Sequence, residues 1–209
     1  MKRKPILLNK IKGNAISKGR EVIGLIGSHH GTGVTYTGLM LSFYMGEELG
    51  RKTAFLECNE HKDFKLIRAS YEWSEEQAFS FSFHQITCYE EVTPYRIPEI
   101  FGEDYECLIL DFGTDLAANR EEFLRCGTKI VIGGRSDWDI LKLARFKDAS
   151  KTIRGSDSWL YFIPQANENT VIKISNELKK KVWSVPAAGE PVIPSHSTNR
   201  FFEKIFPSQ

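Results

Sequence analysis

Short apolar runs alternate with stretches of helical periodicity along this chain from about residue 21 onward. Short runs of four or five mostly apolar residues are typical of strands that are buried on both faces. They occur at 22–26, 53–56, 107–110, 129–132, 160–163 and 182–185. Helices are predicted between them at 35–49, 115–126, 137–144, 168–181 and 197–206. The alternation predicts an α/β fold in one domain, with a mainly parallel sheet of about seven strands between two helical layers.

The stretch between residues 61 and 101 is less regular. A helix or an irregular excursion is expected over 61–80, where charged and aromatic residues mix. Phe79, Phe81 and Phe83 then alternate with polar residues, which predicts a strand with one more polar face. Pro94 and Pro98 interrupt the chain that follows, and a short helix is expected around 97–101.

Several large apolar side chains have a predicted direction. In the helix that starts near 168, helical spacing predicts that the following side chains point inward: Val171, Ile172, Ile174 and Leu178. The helix that starts near 137 has its apolar positions at Trp138, Ile140, Leu141, Leu143 and Ala144. Tyr71, Trp73 and Tyr89 have two interpretations. They form an exposed surface for a partner, or they pack beneath the 61–80 excursion.

A glycine-rich loop follows the first strand and precedes the first helix. Its glycines, Gly31 and Gly33, allow a tight turn and a close approach of the backbone to another group. A strand, glycine loop and helix in this order direct backbone N–H groups towards a phosphate. The candidate nucleotide-binding residues are Gly31, Thr32, Gly33, Val34, Thr35 and Tyr36. The alternative is that the glycines only preserve the turn.

A single acid, Asp111, ends the apolar run at 107–110. In phosphate-loop proteins a carboxylate at this position orders the coordination shell of Mg²⁺, together with the hydroxyl that follows the loop lysine. Asp111 and Thr35 are therefore the candidate magnesium residues, with ATP or ADP as the candidate ligand. The loop lacks the usual lysine, because Val34 stands between Gly33 and Thr35.

The order of these pieces resembles the MinD/ParA class of P-loop ATPases, which carry a deviant Walker A motif. That family writes Lys-Gly-Gly-x-Gly-Lys-Ser/Thr where this chain has residues 29–35, HHGTGVT. Its Asp-x-Asp after the second strand corresponds to Glu57 and Asn59, and its Walker B aspartate to Asp111. The segment at 189–192, GEPV, resembles a late family segment. The resemblance covers residues 20–206 and implies the family's three-layer α/β/α fold.

The same resemblance implies a change of function, because the charged positions differ. Val34 replaces the phosphate-binding lysine. His29 replaces the signature lysine, which in the family reaches the nucleotide of the other subunit, and Asn59 replaces the acid that positions water. The expectation is a pseudo-ATPase, a cytoplasmic scaffold or localisation factor like the pilus-assembly factors of the TadZ/CpaE type. The alternative is an active ATPase with an atypical loop that couples ATP binding to dimerisation.

Charge adds one feature to this picture. The 209 residues have a formal net charge of +1, but residues 1–20 contain seven Lys and Arg residues and no acid. The predicted organisation is thus a basic arm, 1–20, and an α/β domain, 21–209. The arm is interpreted either as a solvated segment or as a tether for acidic lipid or a partner. Direct DNA binding through the arm is a third class of function.

The remaining predictions concern location and secondary sites. No signal peptide or membrane span is evident, and Cys58 and Cys107 lie in or beside apolar runs, which indicates buried reduced thiols. A further hypothesis is that His29, His30 and His61 bind a metal ion together with Cys58, although their spacing does not support it. His29 or His30 could alternatively lend part-time positive charge to the loop. The final helix either packs on the core or binds a membrane surface peripherally. Expected partners are another protein or a second copy.

Overall fold

A computed structural model describes residues 19–193 and 195–207 of the chain. The predicted basic arm lies outside this range except for Gly19 and Arg20. Nine strands form one sheet in the order β3-β4-β5-β2-β6-β1-β7-β8-β9. Their bounds are β1 Glu21–Gly27, β2 Thr53–Glu57, β3 Glu75–Gln77, β4 Ser80–Phe83, β5 Ile86–Tyr89, β6 Cys107–Asp111, β7 Thr128–Ile132, β8 Leu160–Pro164 and β9 Val182–Val185.

The centre of the sheet is parallel, as the apolar runs predict. β1 lies between β6 and β7, with Leu25 opposite Asp111 on one side and Gly27 opposite Ile132 on the other. β4 alone runs antiparallel to its neighbours, β3 and β5. The parallel arrangement brings the carboxyl ends of β1, β2 and β6 to one edge, where open α/β sheets bind ligands.

Within the described residues, seven α-helices cover the sheet: α1 Val34–Phe43, α2 Asp63–Ser70, α3 Ile97–Ile100, α4 Arg120–Arg125, α5 Asp137–Ser150, α6 Glu168–Leu178 and α7 His196–Glu203. A π-helical turn, Tyr44–Glu48, extends α1. The chain then reverses at Gly50, whose φ of 63° is the left-handed conformation expected after a helix end.

Two apolar layers lie on opposite faces of the sheet. One joins Ile26 and Val131 to side chains of α3 to α6, such as Leu143 and Leu178. The other joins Ile23 and Leu25 to α1, α2 and α7. The three-layer α/β/α prediction is therefore confirmed.

The final helix belongs to the second layer. Phe201, Phe202 and Phe206 are buried, and the Phe201 ring packs edge-on against Phe162 in β8. This burial agrees with the core-packing interpretation of α7, because its aromatic face is already covered by the sheet. Within the described residues, no helix combines the length and apolar character needed to span a bilayer.

Several predictions of local structure were wrong. The sheet has nine strands and not about seven, because the short β3 and the polar-alternating β5 carry almost no apolar signal. The helix predicted over 115–126 is limited to Arg120–Arg125, with turns before it. α6 ends at Leu178, because Lys179 adopts a left-handed conformation.

One side chain predicted to point inward, Ile172, is exposed instead, and so are Trp138 and Leu141 at two of the apolar positions of α5. In α5 the buried stripe runs through Ile140 and Leu143, and a second row of apolar residues faces outward. Among the aromatic residues of uncertain direction, Tyr89 is buried, whereas Tyr71 and Trp73 are half-buried. Trp73 packs on Phe81, so it lies beneath the excursion.

Candidate functional site

The glycine loop lies at the carboxyl end of β1 and leads directly into α1. Gly31 and Gly33 have φ angles of 79° and 85°, which L-residues with side chains adopt only with strain. The backbone N–H of Thr37 donates to Gly33 O at 2.9 Å and starts the helix. The loop also closes tightly over the strand end, since a Cβ at Gly27 would lie 2.6 Å from Thr32 Oγ1. The predicted cradle is present in its backbone.

A cavity of about 650 Å³ opens above this loop, and two walls enclose it. The loop wall comprises residues 30–36 with Gly113 and Thr114. The helix wall comprises His61, the α2 residues Asp63, Leu66, Ile67 and Ser70, then Tyr71 and residues 189–191. All six predicted nucleotide-binding residues therefore line one cavity.

The predicted magnesium residues are in direct contact. Thr35 Oγ1 donates to Asp111 Oδ2 at 2.6 Å, and the backbone N–H of Gly113 donates to Asp111 Oδ1 at 2.8 Å. A third group, Asp63 at the start of α2, has its Oδ2 atom 3.4 Å from Thr35 Oγ1. Two carboxylates thus converge on one hydroxyl, which makes a set of hard oxygen donors of the kind that Mg²⁺ prefers.

Burial dominates the electrostatics of Asp111. The side chain has no exposed surface, and this desolvation raises the pKa of its carboxyl above the usual value, although the bonds from Thr35 and Gly113 oppose the rise. The carboxylate form is therefore costly here unless a cation joins it.

Glu57 stands where the resemblance places a ligand acid, but it is occupied structurally. Its Oε1 and Oε2 accept backbone N–H bonds from Phe64 and Glu91, at 3.1 and 3.2 Å. Burial raises the pKa of this carboxyl as well. Glu57 thus fixes the start of α2, and the helix wall with it. Asn59 donates to Asp111 O at 3.2 Å and also serves the framework.

Val34, at the position of the phosphate-binding lysine, is nearly buried. Its Cγ2 methyl would lie 2.9 Å from a Cβ at Gly27, and the side chain belongs to the apolar layer of Ile23 and Leu25. Among the described residues that line the cavity, none is Lys or Arg. The ionisable side chains of the two walls are instead Asp63, Glu190, His30, His61 and the tyrosines.

His29, at the signature-lysine position, turns towards its own chain. Its Nε2 donates to Asp139 Oδ1 at 2.8 Å, and its Nδ1 lies 2.9 Å from Ser28 Oγ. Asp139 also closes the capping box of α5 with Ser136. Burial tends to raise the pKa of Asp139, but the Ser136 bonds and the neighbouring His29 outweigh it and lower that pKa. His29 is thus held at the start of α5.

Two tyrosines, Tyr36 of the loop wall and Tyr71 of the helix wall, lie beside the acidic rim of the cavity. Tyr36 donates its hydroxyl to Ala188 O, and Tyr71 donates to Glu190 Oε2, both at 2.6 Å. The bond to Glu190 raises the pKa of Tyr71 to about 12. Because both hydroxyls have partners, these tyrosines present mainly their rings to the cavity.

The metal hypothesis for the histidines finds no support in the described part of the chain, where no group of His, Cys, Asp and Glu side chains has ligand geometry. His30 and His61 stack on each other instead, with ring centroids 4.6 Å apart. Cys58 is buried, and burial raises the pKa of its thiol. All four cysteines are free and buried.

Sequence reasoning missed two residues of the site. Asp63 approaches Thr35 only because α2 folds back over the loop, and its place in a mixed charged stretch gave no signal. Asp139 was overlooked because Ser136 and Asp137 are themselves residues that can cap the helix. A carboxylate three residues after a serine N-cap is nevertheless a capping-box signal.

Comparisons with known proteins identify the fold. No protein-family model and no curated protein sequence matches the chain. Among solved structures, a ParA family ATPase from Chlorobium tepidum superimposes with a TM-score of 0.63 at 9% identity, covering 92% of this chain and 94% of that one.

Two cell-division proteins are also similar in structure. The septum site-determining protein MinD from Pyrococcus horikoshii, complexed with Mg-ADP, gives a TM-score of 0.63 at 12% identity over 89% of this chain and 94% of that one. The MinC:MinD complex from Aquifex aeolicus gives 0.61 at 12% identity over 90% of each chain. The chain therefore has the fold of the ParA and MinD ATPases, as its motifs predicted.

Proposed function

We propose that this chain is a pseudo-ATPase with the ParA/MinD fold, which does not hydrolyse ATP and positions a larger assembly as a scaffold or localisation factor. One observation carries the proposal: the described lining of its phosphate-loop cavity contains carboxylates and no Lys or Arg. Phosphoryl transfer depends on positive charge that stabilises the transferring group, and here the loop side chain at that place is the buried Val34.

The magnitude of the missing charge supports this conclusion. An ammonium about 4 Å from a phosphate charge contributes roughly 4 kcal/mol at an effective dielectric constant near 20. Each ~1.4 kcal/mol corresponds to about tenfold in affinity or rate. Val34 and His29 remove two such ammonium groups, and Asn59 removes an acid that would position water. Asp63 and Glu190 add like charge on the approach of a triphosphate.

Part of a nucleotide site is nevertheless retained. Thr35, Asp111 and Asp63 suit Mg²⁺ as oxygen donors, and the amides of residues 31–36 suit one phosphate group. We therefore propose weak Mg-nucleotide binding at most, with Thr35 and Asp111 on the metal and 31–36 on the phosphates. ATP, ADP and Mg²⁺ are the ligands that this fold implies.

A protein partner is the second part of the proposal. A MinD of this fold has been solved as a complex with MinC, which shows that a surface of the fold can engage another protein. A homodimer like that of the resembling family would lack one of its contacts, because His29 is bound to Asp139 within its own chain. The four free buried thiols are consistent with our assignment to the cytoplasm.

The proposal is tested by nucleotide turnover and by restoring one charge. The wild-type chain should release no phosphate above the buffer rate at millimolar Mg-ATP. Val34→Lys should raise affinity for ADP at least about tenfold in calorimetric titration, because it places an ammonium in the cradle. Val34→Leu, which changes size without charge, should leave affinity unchanged.

The active-ATPase alternative predicts a different result. Turnover by the wild-type chain that is abolished in Thr35→Ala would establish that alternative and end the pseudo-ATPase proposal. Equal ADP affinity in Val34→Lys and Val34→Leu would show that charge is not what the loop lacks.

A further inference from the structure

The charge of this protein is divided sharply between one terminal segment and the remainder. Residues 1–18 hold six Lys and Arg residues and no acid, whereas the other residues hold 22 Lys and Arg against 27 Asp and Glu, a net charge of −5. The segment also contains a short apolar group, Ile6-Leu7-Leu8, between its two clusters of cations. It therefore combines positive charge with apolar surface.

The helix wall of the cavity has the complementary character. Its acids are Asp63 and Glu190, and its apolar surface includes Leu66, which is 68% exposed. The ring of Tyr71 on this wall and the ring of Tyr36 on the adjoining loop wall present faces that attract cations. An apolar cavity with carboxylates and aromatic faces favours binding of a basic, apolar peptide segment over binding of a nucleoside triphosphate.

We propose that residues 1–18 dock in this cavity of their own chain, on the helix wall. The inference rests on the proposed function, because a cavity that held a triphosphate tightly would exclude the segment. Lys and Arg side chains of the segment pair with Asp63 and Glu190, and its apolar group covers Leu66 and Ile67. The segment that precedes β1 thus supplies the cavity with the cations that its loop lacks.

The segment is long enough to make this contact. Its exit is fixed at the amino end of β1, where Arg20 Nη1 donates to Phe101 O and its Nη2 to Glu103 O, both at 2.6 Å. The seven residues of β1 span about 23 Å, whereas 18 extended residues reach up to about 60 Å. The segment can therefore pass along the sheet and enter the cavity at the opposite edge.

The contact can be measured by paramagnetic relaxation in the full-length chain. All four native cysteines are 8% exposed or less, so a nitroxide attached to Asn9→Cys labels one site. In ¹⁵N-labelled protein, amides of Leu66, Ile67 and Tyr71 should lose at least half their intensity when the nitroxide is oxidised. Amides of α6, on the other face of the sheet, should keep theirs.

A matched pair of charge reversals tests the electrostatic basis. Glu190→Lys should at least halve the broadening of the helix wall, and 0.5 M salt should weaken it in the wild type because exposed charges are screened. Glu177→Lys, an exposed acid on α6, should leave the broadening unchanged. Equal effects of the two reversals would overturn the role of the cavity acids.

Three further outcomes would overturn the inference. They are no broadening at the helix wall, broadening centred on another surface, and equal broadening when the nitroxide and the ¹⁵N label are on different molecules, which would place the segment on a second copy. The proposed function is tested separately by ATP turnover. If the segment does not dock and no ATP is turned over, only this inference fails. If the wild-type chain turns over ATP, the pseudo-ATPase proposal fails.

Discussion

The two walls of the cavity hold their shape by different means. The loop wall depends on backbone conformation, with Gly31 and Gly33 at positive φ and a close fit of Thr32 against Gly27. The helix wall depends on side chains, with Phe64 inserted into the apolar layer and Glu57 bonded to the start of α2. The loop wall is therefore set by turn geometry, and the helix wall by packing and a buried acid.

This difference explains how a phosphate cradle can persist without its charges. The backbone of the loop wall is required by the turn from β1 into α1, so it survives whatever the cavity holds. The side chains around it are free to change, and Val34 and His29 have both taken structural contacts. Cavity shape and cavity charge are thus separate properties of this fold.

The largest expected effect comes from removing the buried Phe64 side chain, which holds the helix wall against the core. Phe64 is buried, and its ring centroid lies 4.7 Å from that of Phe55. Phe64→Ala should lower the free energy of unfolding by about 3–5 kcal/mol in denaturant titration, because it leaves a cavity in the core. Leu66→Ala, on the exposed side of the same helix, should change it by less than about 0.5 kcal/mol. Similar losses would mean that α2 is not held by its buried face.

The buried acid of the helix wall gives the next effect. Glu57→Gln replaces one accepting oxygen by a donor, so a backbone N–H of Phe64 or Glu91 loses its partner. We expect a loss of about 1–2 kcal/mol in the free energy of unfolding, part of the cost being offset by removal of a buried charge. Glu177→Gln on the surface is the control. A stabilised Glu57→Gln protein would show that the charge matters more than the two bonds.

The loop wall is tested by a pair of glycines. Gly33→Ala should destabilise by about 1–2 kcal/mol, because a Cβ at a φ of 85° is strained although the nearest atom would be 3.7 Å away. Gly189→Ala lies on the helix wall, where φ is ordinary and no atom approaches within 4 Å. Thermal unfolding should leave it within about 0.5 kcal/mol of the wild type. Equal destabilisation would contradict the distinction between the walls.

The smallest expected effect is that of replacing Asp111, and this replacement should raise the free energy of unfolding where the others lower it. Burial raises the folded pKa of this carboxyl above the usual value of an aspartate, so the folded state binds more protons than the unfolded state just above that usual value. The contribution of Asp111 to stability therefore falls as pH rises through this window. Asp111→Asn should stabilise the protein at pH 7, and should stabilise it less near pH 4, as measured by denaturation at both pH values. A destabilised variant at pH 7 would show that the carboxylate is needed for the Thr35 contact.

The central fold could be predicted from the sequence because its signals are local. A strand buried on both faces needs a run of apolar residues, so β1, β2, β6 and β7 can be predicted from the sequence. β5, with its Ile-Thr-Cys-Tyr alternation over four residues, is too short for a periodic signal. Its place in the sheet depends on pairing with β2, which is a contact made at a distance along the chain.

The candidate site was predictable only on its loop wall. Gly31, Gly33, Thr35 and Asp111 follow from spacing, because each has a fixed place at a strand end. Asp63 belongs to the helix wall, and its 3.4 Å approach to Thr35 arises from how α2 packs. The outward direction of Trp138 and Leu141 on α5 could not be predicted, because helical spacing alone cannot tell which of two apolar stripes meets the sheet.

The three-residue strand β3 limits how copies of this molecule can meet. It forms one border of the sheet, and its residues Glu75, Glu76 and Gln77 are all exposed. A second chain that added itself there strand by strand would bring two rows of carboxylates together in register, and their repulsion opposes fibril-like growth. This charged border of the sheet is therefore a poor place for a second copy of the chain to add a strand.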